Sequence, residues 1–305
     1  MPSINFMDSR CVISIVIPVF NEAATLAALL GKVQRLELAQ AEIIVVDDGS
    51  IDGSAEIALE AGANVIRHPY NIGNGAAVKT GIRAARGRFI VLMDGDGQHQ
   101  PEDIPKLIAE ASNYHMVVGA RAKGSKLRFH RNAANLAYNV LASYVTQFRV
   151  KDLTSGFRIL TRLDALRFID LLPNTFSYPT TLTLAFLRSG LTVKYVPIQT
   201  LYRSGQSKIS LVTDGIRFML IIVKIATLFS PLRVFLPVSL SFFTVGLANY
   251  LYTYVTQGRL TNMSVFMWTS AVIIFMLGLV SEQIASLRME RQHATPKTWV
   301  ERKEE

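Results

Sequence analysis

The chain has 305 residues, half of them hydrophobic, with a formal net charge of +9. It is too long for one typical domain, and its single cysteine, Cys11, excludes an internal disulfide framework or an all-cysteine metal site. The basic balance points to nucleic acid, an anionic membrane surface or a phosphorylated substrate; nucleic acid is set aside, because zinc-ligand cysteines, a homeodomain-like helix and an aromatic-studded basic strand are all missing.

The start, "MPSINFMDSR", has no apolar signal-peptide region, so the N-terminal domain is expected to stay on the side of the membrane where it is made. "CVISIVIPVF" is a continuous Val/Ile-rich run of the kind buried parallel strands show, with Cys11 as a small core residue. "NEAATLAALLGKVQRLE" follows at helical spacing, with Asn21 as its expected N-cap. "AEIIVVDDGS" reads as a second strand and "GSAEIALEAG" as a helix closed by Gly62. "ANVIRHP" gives a third strand, "GAAVKTGIRAA" a helix, "RFIVLMD" a fourth strand and "HMVVGAR" a fifth. This alternation implies an α/β fold with a mostly parallel, Rossmann-like sheet, whose ligands sit at the carboxyl ends of the strands. Those ends carry "PVFNE", "DDGS" and "DGDGQ".

Further on, Arg128 to Tyr144 is helix-like, "KDLTSGFRIL" follows, "TVKYVPIQTLYR" is a late strand and "SGQSKIS" a polar loop. From about Phe218 the chain turns strongly apolar, which accounts for a mean hydropathy of +0.28 overall. "LVTDGIRFMLIIVKIATLF" is amphipathic at first and reads as an interfacial helix. Two uncharged runs, Val234 to Gly258 and Leu260 to Ser281, are each long enough to cross a bilayer, with a buried core hairpin as the alternative. Lys and Arg flank the pair while the link holds only Arg259, so the positive-inside rule puts the N-terminal domain and both termini in the cytoplasm. The division is 1–209 for the N-terminal domain, 210–232 for the amphipathic helix, 233–285 for the two spans (234–257 and 261–282) and 286–305 for a basic tail.

The chemistry concentrates at the strand ends. Asp94, Asp96 and Gln98 alternate, and on extended backbone they would share one face. Two carboxylates held together repel unless a hard divalent cation bridges them, and Mg²⁺ or Mn²⁺ with a substrate phosphate suits an oxygen set. A plain acidic turn is the alternative. One of Asp47 and Asp48 could accept from a ribose or base while the other caps the next helix. "NIGNGAAVKTG" offers Gly73, Gly75 and Lys79 as a phosphate-side loop or a tight turn; it matches neither the dinucleotide nor the Walker pattern, which argues against dehydrogenase and kinase readings. His99 is either a base or a structural hydrogen-bonding group.

"SIVIPVFNE", "VVDDGSIDGS", "LMDGDGQHQPEDI", "VVGAR", "DLTSGFRIL" and "SGQSKIS" occur in this order. Together they resemble the family 2 glycosyltransferases of GT-A fold, and most closely the polyprenyl-phosphate and dolichyl-phosphate glycosyltransferases with two C-terminal membrane helices. The resemblance implies a donor site made of Pro18, Phe20, Glu22, Val46, Asp48, Met93, Asp94, Gly95, Asp96, Arg203 and Lys208. It implies a metal, Mg²⁺ or Mn²⁺, on Asp94, Asp96 and Gln98, and an acceptor phosphate held by Arg121, Arg131, Ser155 and Ser207. Asp94, Asp96 and Arg121 would carry the catalysis. Asp94-Gly95-Asp96 departs from the family's usual Asp-Ala-Asp, Phe20 stands where Tyr is common, and Arg203 lies one residue closer to its Gly-x-Ser-Lys than usual.

The implied reaction is a single inverting displacement, moving a sugar from a UDP- or GDP-sugar to a polyprenyl phosphate (undecaprenyl or dolichyl) at the cytoplasmic membrane face. Partners are the nucleotide sugar, the lipid phosphate, the membrane and, by resemblance, further copies of the chain in a tetramer. The alternatives are a family 2 enzyme acting on another lipid or a polysaccharide, which the missing Gln-x-x-Arg-Trp motif of processive synthases disfavours, and a non-catalytic membrane scaffold or nucleotide-sugar sensor.

Overall fold

A computed structural model describes residues 12–121, 138–140, 142–144, 146–174, 177–200, 220, 223, 226–227 and 230–292, the side chains of 288–292 excepted. Cys11, Arg128, Arg131, Arg203, Ser207, Lys208 and most of the expected interfacial helix lie outside the described residues. The chain divides into two compact units, Met1–Met219 and Leu220–Glu305.

In the first unit seven strands form one sheet: β1 (Ile13–Val19), β2 (Ala41–Asp47), β3 (Asn64–Arg67), β4 (Phe89–Leu92), β5 (Met116–Arg121), β6 (Arg158–Thr161) and β7 (Val193–Ile198), in the order β3-β2-β1-β4-β6-β5-β7. The helices are α1 (Ala23–Gln34), α2 (Ser54–Glu60), α3 (Asn74–Ala84), α4 (Ile104–Ala111), α5 (Arg162–Arg167) and α6 (Tyr178–Arg188). β1 is buried along its whole length and pairs in parallel with β2 and β4, which is why its sequence is an unbroken apolar run. Ile15 and Ile17 of β1 pack with Leu26, Leu30 and Val33 of α1 in the core.

β6 breaks the parallel pattern, running antiparallel to both β4 and β5. It lies inside "DLTSGFRIL", where no strand is predicted, and α4, α5 and α6 are likewise additions to the sequence reading. Because β6 is reversed, the 152–157 loop before it arrives at the edge where β4 and β5 end.

Asn21 is not the N-cap of α1: it has φ +55° and Glu22 occupies that position without a side-chain cap. The free amides are met from the next loop instead. Ala23 N donates to Asp52 Oδ2 (2.9 Å), Glu22 N to Ser54 Oγ (3.0 Å) and Asn21 N to Ser50 Oγ (2.9 Å). The first helix is thus capped by residues about thirty positions downstream, tying the β1 and β2 ends together.

The second unit holds α7 (Pro231–Gln257) and α8 (Asn262–Gln292), both long and apolar enough to cross a membrane. At about 1.5 Å per residue, the 27 residues of α7 reach roughly 40 Å. The pair packs through small residues: a Cβ on Gly246 would lie 2.9 Å from Met267 and Trp268. Polar groups are paired across it, with Asn249 Nδ2 donating to Ser264 Oγ (2.8 Å), Ser239 Oγ to Ala271 O (2.8 Å) and Leu232 N to Glu282 Oε2 (3.0 Å).

Candidate active site

The register of the sheet assembles the site. Pro18 sits opposite Val46, Val19 opposite Asp47, and Val16 opposite Leu92. Asp48 N donates to Val19 O (2.8 Å) and Met93 N to Val16 O (3.1 Å). Phe20, Asp48 and Asp94 therefore leave the sheet side by side. Pro18, Val46 and Met93 are buried, so they can offer a ligand only backbone atoms, while Phe20 is 45% exposed. Glu22 is half-buried.

The sequence places Asp94, Asp96 and Gln98 on one face by strand alternation, but the strand before them ends at Leu92. They lie on a tight turn instead. Gly97 has φ +71°, and Gln98 N donates back to Asp96 Oδ1 (3.1 Å). Thr25 Oγ1 donates to Gly95 O (3.0 Å), fastening the turn to α1. Gly95 lies close against β1: a Cβ there would sit 3.0 Å from Val19 Cγ2 and 3.2 Å from Pro18 O, a tight fit that needs a small shift of the neighbours.

Neither Asp47 nor Asp48 caps α2, whose N-cap is Gly53. Asp47 is fully buried, accepting from Ser50 N (3.1 Å) and Arg67 Nε (3.0 Å). Asp48, 2% exposed, accepts from Ile72 N (3.0 Å) and Gly73 N (2.7 Å) and faces His68 Nδ1 at 2.7 Å. His68 Nε2 meets Thr80 Oγ1 at 2.9 Å. The Asp48 carboxylate thus pins the 72–73 backbone. The Lys79 ammonium donates to Leu172 O (3.3 Å) and Asn174 Oδ1 (2.5 Å).

Arg121 ends β5 and grips Asp152 bidentately, Nε to Oδ2 at 2.8 Å and Nη2 to Oδ1 at 2.9 Å, with a third bond to Thr154 Oγ1 (2.6 Å). Burial alone would raise the Asp152 pKa, but the hydrogen bonds and charge of Arg121 outweigh it and hold it below the ordinary value. None of these bonds uses Nη1 of Arg121. Ser155, expected at the acceptor phosphate, is buried, its hydroxyl donating to Gly119 O (2.6 Å).

Gly156, Arg158 and Tyr178 escaped the sequence reading, although the first two stand within the quoted motif. A Cβ on Gly156 would lie 2.5 Å from Asp94 Oδ2. Arg158 is fully buried, its guanidinium donating to Pro179 O (3.0 Å), Thr183 Oγ1 (3.1 Å) and Ser155 O. His99 stacks on Phe157 with centroids 5.2 Å apart, and its Nε2 lies 3.9 Å from Asp94 Oδ2. Burial, ahead of the charges around it, pushes its pKa down to about 4. A neutral imidazole that weakly basic is a poor proton acceptor, and its buried Nδ1 has no hydrogen-bond partner among the described residues, so stacking and burial, rather than a side-chain hydrogen bond, hold His99.

Among the described residues no three His, Cys, Asp or Glu side chains gather as a metal cluster. Asp94, 29% exposed, and half-buried Asp96 on one turn form a sparse all-oxygen set. That fits Mg²⁺ or Mn²⁺, which keeps waters and ligand phosphates in its shell. When bound, such a cation would neutralise charge developing on a diphosphate leaving group.

The "Glycosyl transferase family 2" model matches residues 14–166, and the "GtrB C-terminal hairpin" model residues 230–287. An uncharacterised protein of Methanocaldococcus jannaschii is 31% identical over 200 residues, covering 62% of this chain and 82% of its own. The undecaprenyl-phosphate 4-deoxy-4-formamido-L-arabinose transferase of Aeromonas hydrophila is 33% identical over 184 residues, 54% of this chain. The chain spans 56% of the length of that transferase. Glucosyl-3-phosphoglycerate synthase from Mycobacterium tuberculosis, solved with Mn²⁺ and UDP-glucose, superposes with a TM-score of 0.60 at 20% identity, over 74% of this chain and 84% of that one. At that identity the likeness is one of fold.

Proposed function

The chain belongs to glycosyl transferase family 2, and from that premise we propose that it moves a sugar from a UDP- or GDP-sugar to a polyprenyl phosphate, using Mg²⁺ or Mn²⁺ and inverting the anomeric carbon. The observation that carries the reading is the joining of a family 2 domain to a GtrB-type hairpin in one chain. Its undecaprenyl-phosphate transferase relatives support the same acceptor.

In this reading an oxygen of the lipid phosphate attacks the anomeric carbon, the bond to the nucleoside diphosphate breaks, and the diphosphate keeps the electron pair. The phosphate needs little help from a base: its second pKa is about 6, so it is already anionic at neutral pH. The weakly basic His99 is consistent with that. Phe20 stacks the base and Glu22 faces the nucleotide, with backbone atoms of Pro18, Val46 and Met93 beside them. Asp48 shapes the pocket by fixing the 72–73 backbone. Asp94 and Asp96 hold the cation, with Gln98 beside them. Arg121 meets the acceptor through Nη1, joined by Arg131 and Ser207, while Arg203 and Lys208 close over the diphosphate. The catalytic unit and both termini are cytoplasmic.

The test is a donor screen with the full chain in detergent, short-chain polyprenyl phosphate, Mg²⁺ or Mn²⁺ and a panel of UDP- and GDP-sugars. One donor should yield a lipid-phosphate sugar, and Asp96→Ala should abolish the product while leaving the protein folded. No transfer to the lipid phosphate from any donor, or near wild-type turnover by Asp96→Ala, overturns the reading.

A further inference from the structure

Tyr178 opens α6 and is 1% exposed, yet its hydroxyl has no hydrogen-bond partner among the described residues. Burying a hydroxyl without a partner costs about 1–3 kcal/mol, a cost relieved in any state that supplies an acceptor. The acceptor it faces is Asp94. From the position a Cβ would take on Gly156, the Tyr178 hydroxyl lies 3.1 Å away and Asp94 Oδ2 2.5 Å away. The two oxygens border one small gap, kept open because residue 156 has no side chain.

Their chemistry is complementary, since a phenol donates and a carboxylate only accepts. Burial first, and then the charge of Asp94, raise the Tyr178 pKa well above its ordinary value. The phenol is also held in place. Arg158 donates to Pro179 O and Thr183 Oγ1 in the same helix, fixing the start of α6 against the 155–158 strand entrance.

We propose that Tyr178 is a positioning residue for Asp94: when the turn holds a divalent cation, the Tyr178 hydroxyl donates to the Asp94 oxygen turned away from it and fixes the carboxylate. This rests on the reading of Asp94 as a metal ligand. Partners behind a metal's ligands orient them, and their loss typically costs about 10–100-fold in metal affinity.

The test uses the full chain in detergent with Mn²⁺ alone, free Mn²⁺ being read by electron paramagnetic resonance, beside thermal melts of each variant. Wild type should bind, Asp94→Asn should lose binding, and Tyr178→Phe should bind about tenfold more weakly or worse with a melting midpoint no lower than that of wild type. Wild-type affinity in Tyr178→Phe, while Asp94→Asn has lost it, overturns the positioning role and leaves the metal reading standing. A melting midpoint that falls in step with affinity also overturns it, because the hydroxyl would then be supporting the fold. Equal binding by wild type and Asp94→Asn removes the metal reading and this role together.

Discussion

Gly156→Ala adds one carbon at the point where the acidic turn and the loop before β6 meet. Gly156 is not among the glycines with positive φ, so the backbone accepts alanine and the effect is contact alone. The new Cβ would lie 2.5 Å from Asp94 Oδ2 and 3.1 Å from both Asp94 Cγ and the Tyr178 hydroxyl. Restoring ordinary van der Waals contact requires Oδ2 to retreat by roughly 1 Å. Asp94 is 29% exposed and can swing outward, so the stability cost falls at the low end of the roughly 1–3 kcal/mol typical of overpacking. Function is less forgiving, because metal–ligand distances hold to within about 0.2 Å and a 1 Å misplacement costs about 10²-fold in rate. That is about 2.7 kcal/mol of transition-state stabilisation at 1.36 kcal/mol per decade. Sugar transfer at saturating acceptor, with a melt to confirm folding, measures it. Turnover within about twofold of wild type in a folded Gly156→Ala protein would refute the placing of Asp94 at the reacting centre.

Asp152→Asn keeps the shape of the Arg121 partner and removes its charge, and should lower stability by about 3 kcal/mol, the low end for breaking a buried pair, since Arg121 keeps 24% of its side chain in solvent. The folded Asp152 pKa is depressed, so its contribution is present above the unfolded value of about 3.9 and lost as pH falls through the folded one. Melts should therefore show the wild-type advantage shrinking below about pH 4, and parallel wild-type and variant pH profiles would contradict the pairing. For topology, Asn262→Cys at the start of α8 should react with an impermeant maleimide on intact cells, whereas wild type, whose only cysteine is Cys11, should not; protection at 262 would refute the outward link.

β1, β2 and β4 were legible because parallel strands covered on both faces carry continuous apolar runs, as "ISIVIPV" does. The same logic explains the misses. α6 is buried from Tyr178 through Phe186, so it has no polar stripe to give it a helical period, and its three threonines are poor helix formers. β6 is short and begins with an arginine, a residue no core strand advertises. Arg158 is tolerated because carbonyls and a hydroxyl accept from its guanidinium, and two of those partners, Pro179 and Thr183, lie 21 and 25 positions away in sequence. Asn21 shows the limit for caps: the rule finds a polar residue before a helix, but Asp52 reached the same amide from another loop. For the site, the types and order of residues identified the edge of the sheet. Which side chains face a ligand and which serve the fold depends on pairings that spacing does not encode.

Arg121 makes the difference concrete. As a residue type it is the natural phosphate anchor, because its planar fork matches two oxygens at once. Here the fork is already matched, with Nε and Nη2 on Asp152 and Thr154. A phosphate meeting it finds one nitrogen and a charge largely balanced by a carboxylate 2.8 Å away. Bidentate capture would need that pair to break, at a cost of a few kcal/mol that a single phosphate contact does not offset. The acid has a gain of its own, since it holds the end of β5 and the loop before β6 in one position and so keeps Gly156 against Asp94. On the proposed reading, Arg121 would therefore serve the reaction first by fixing geometry and second through one hydrogen bond, and the larger share of acceptor binding would fall to the remaining cations that the sequence supplies, Arg131 foremost.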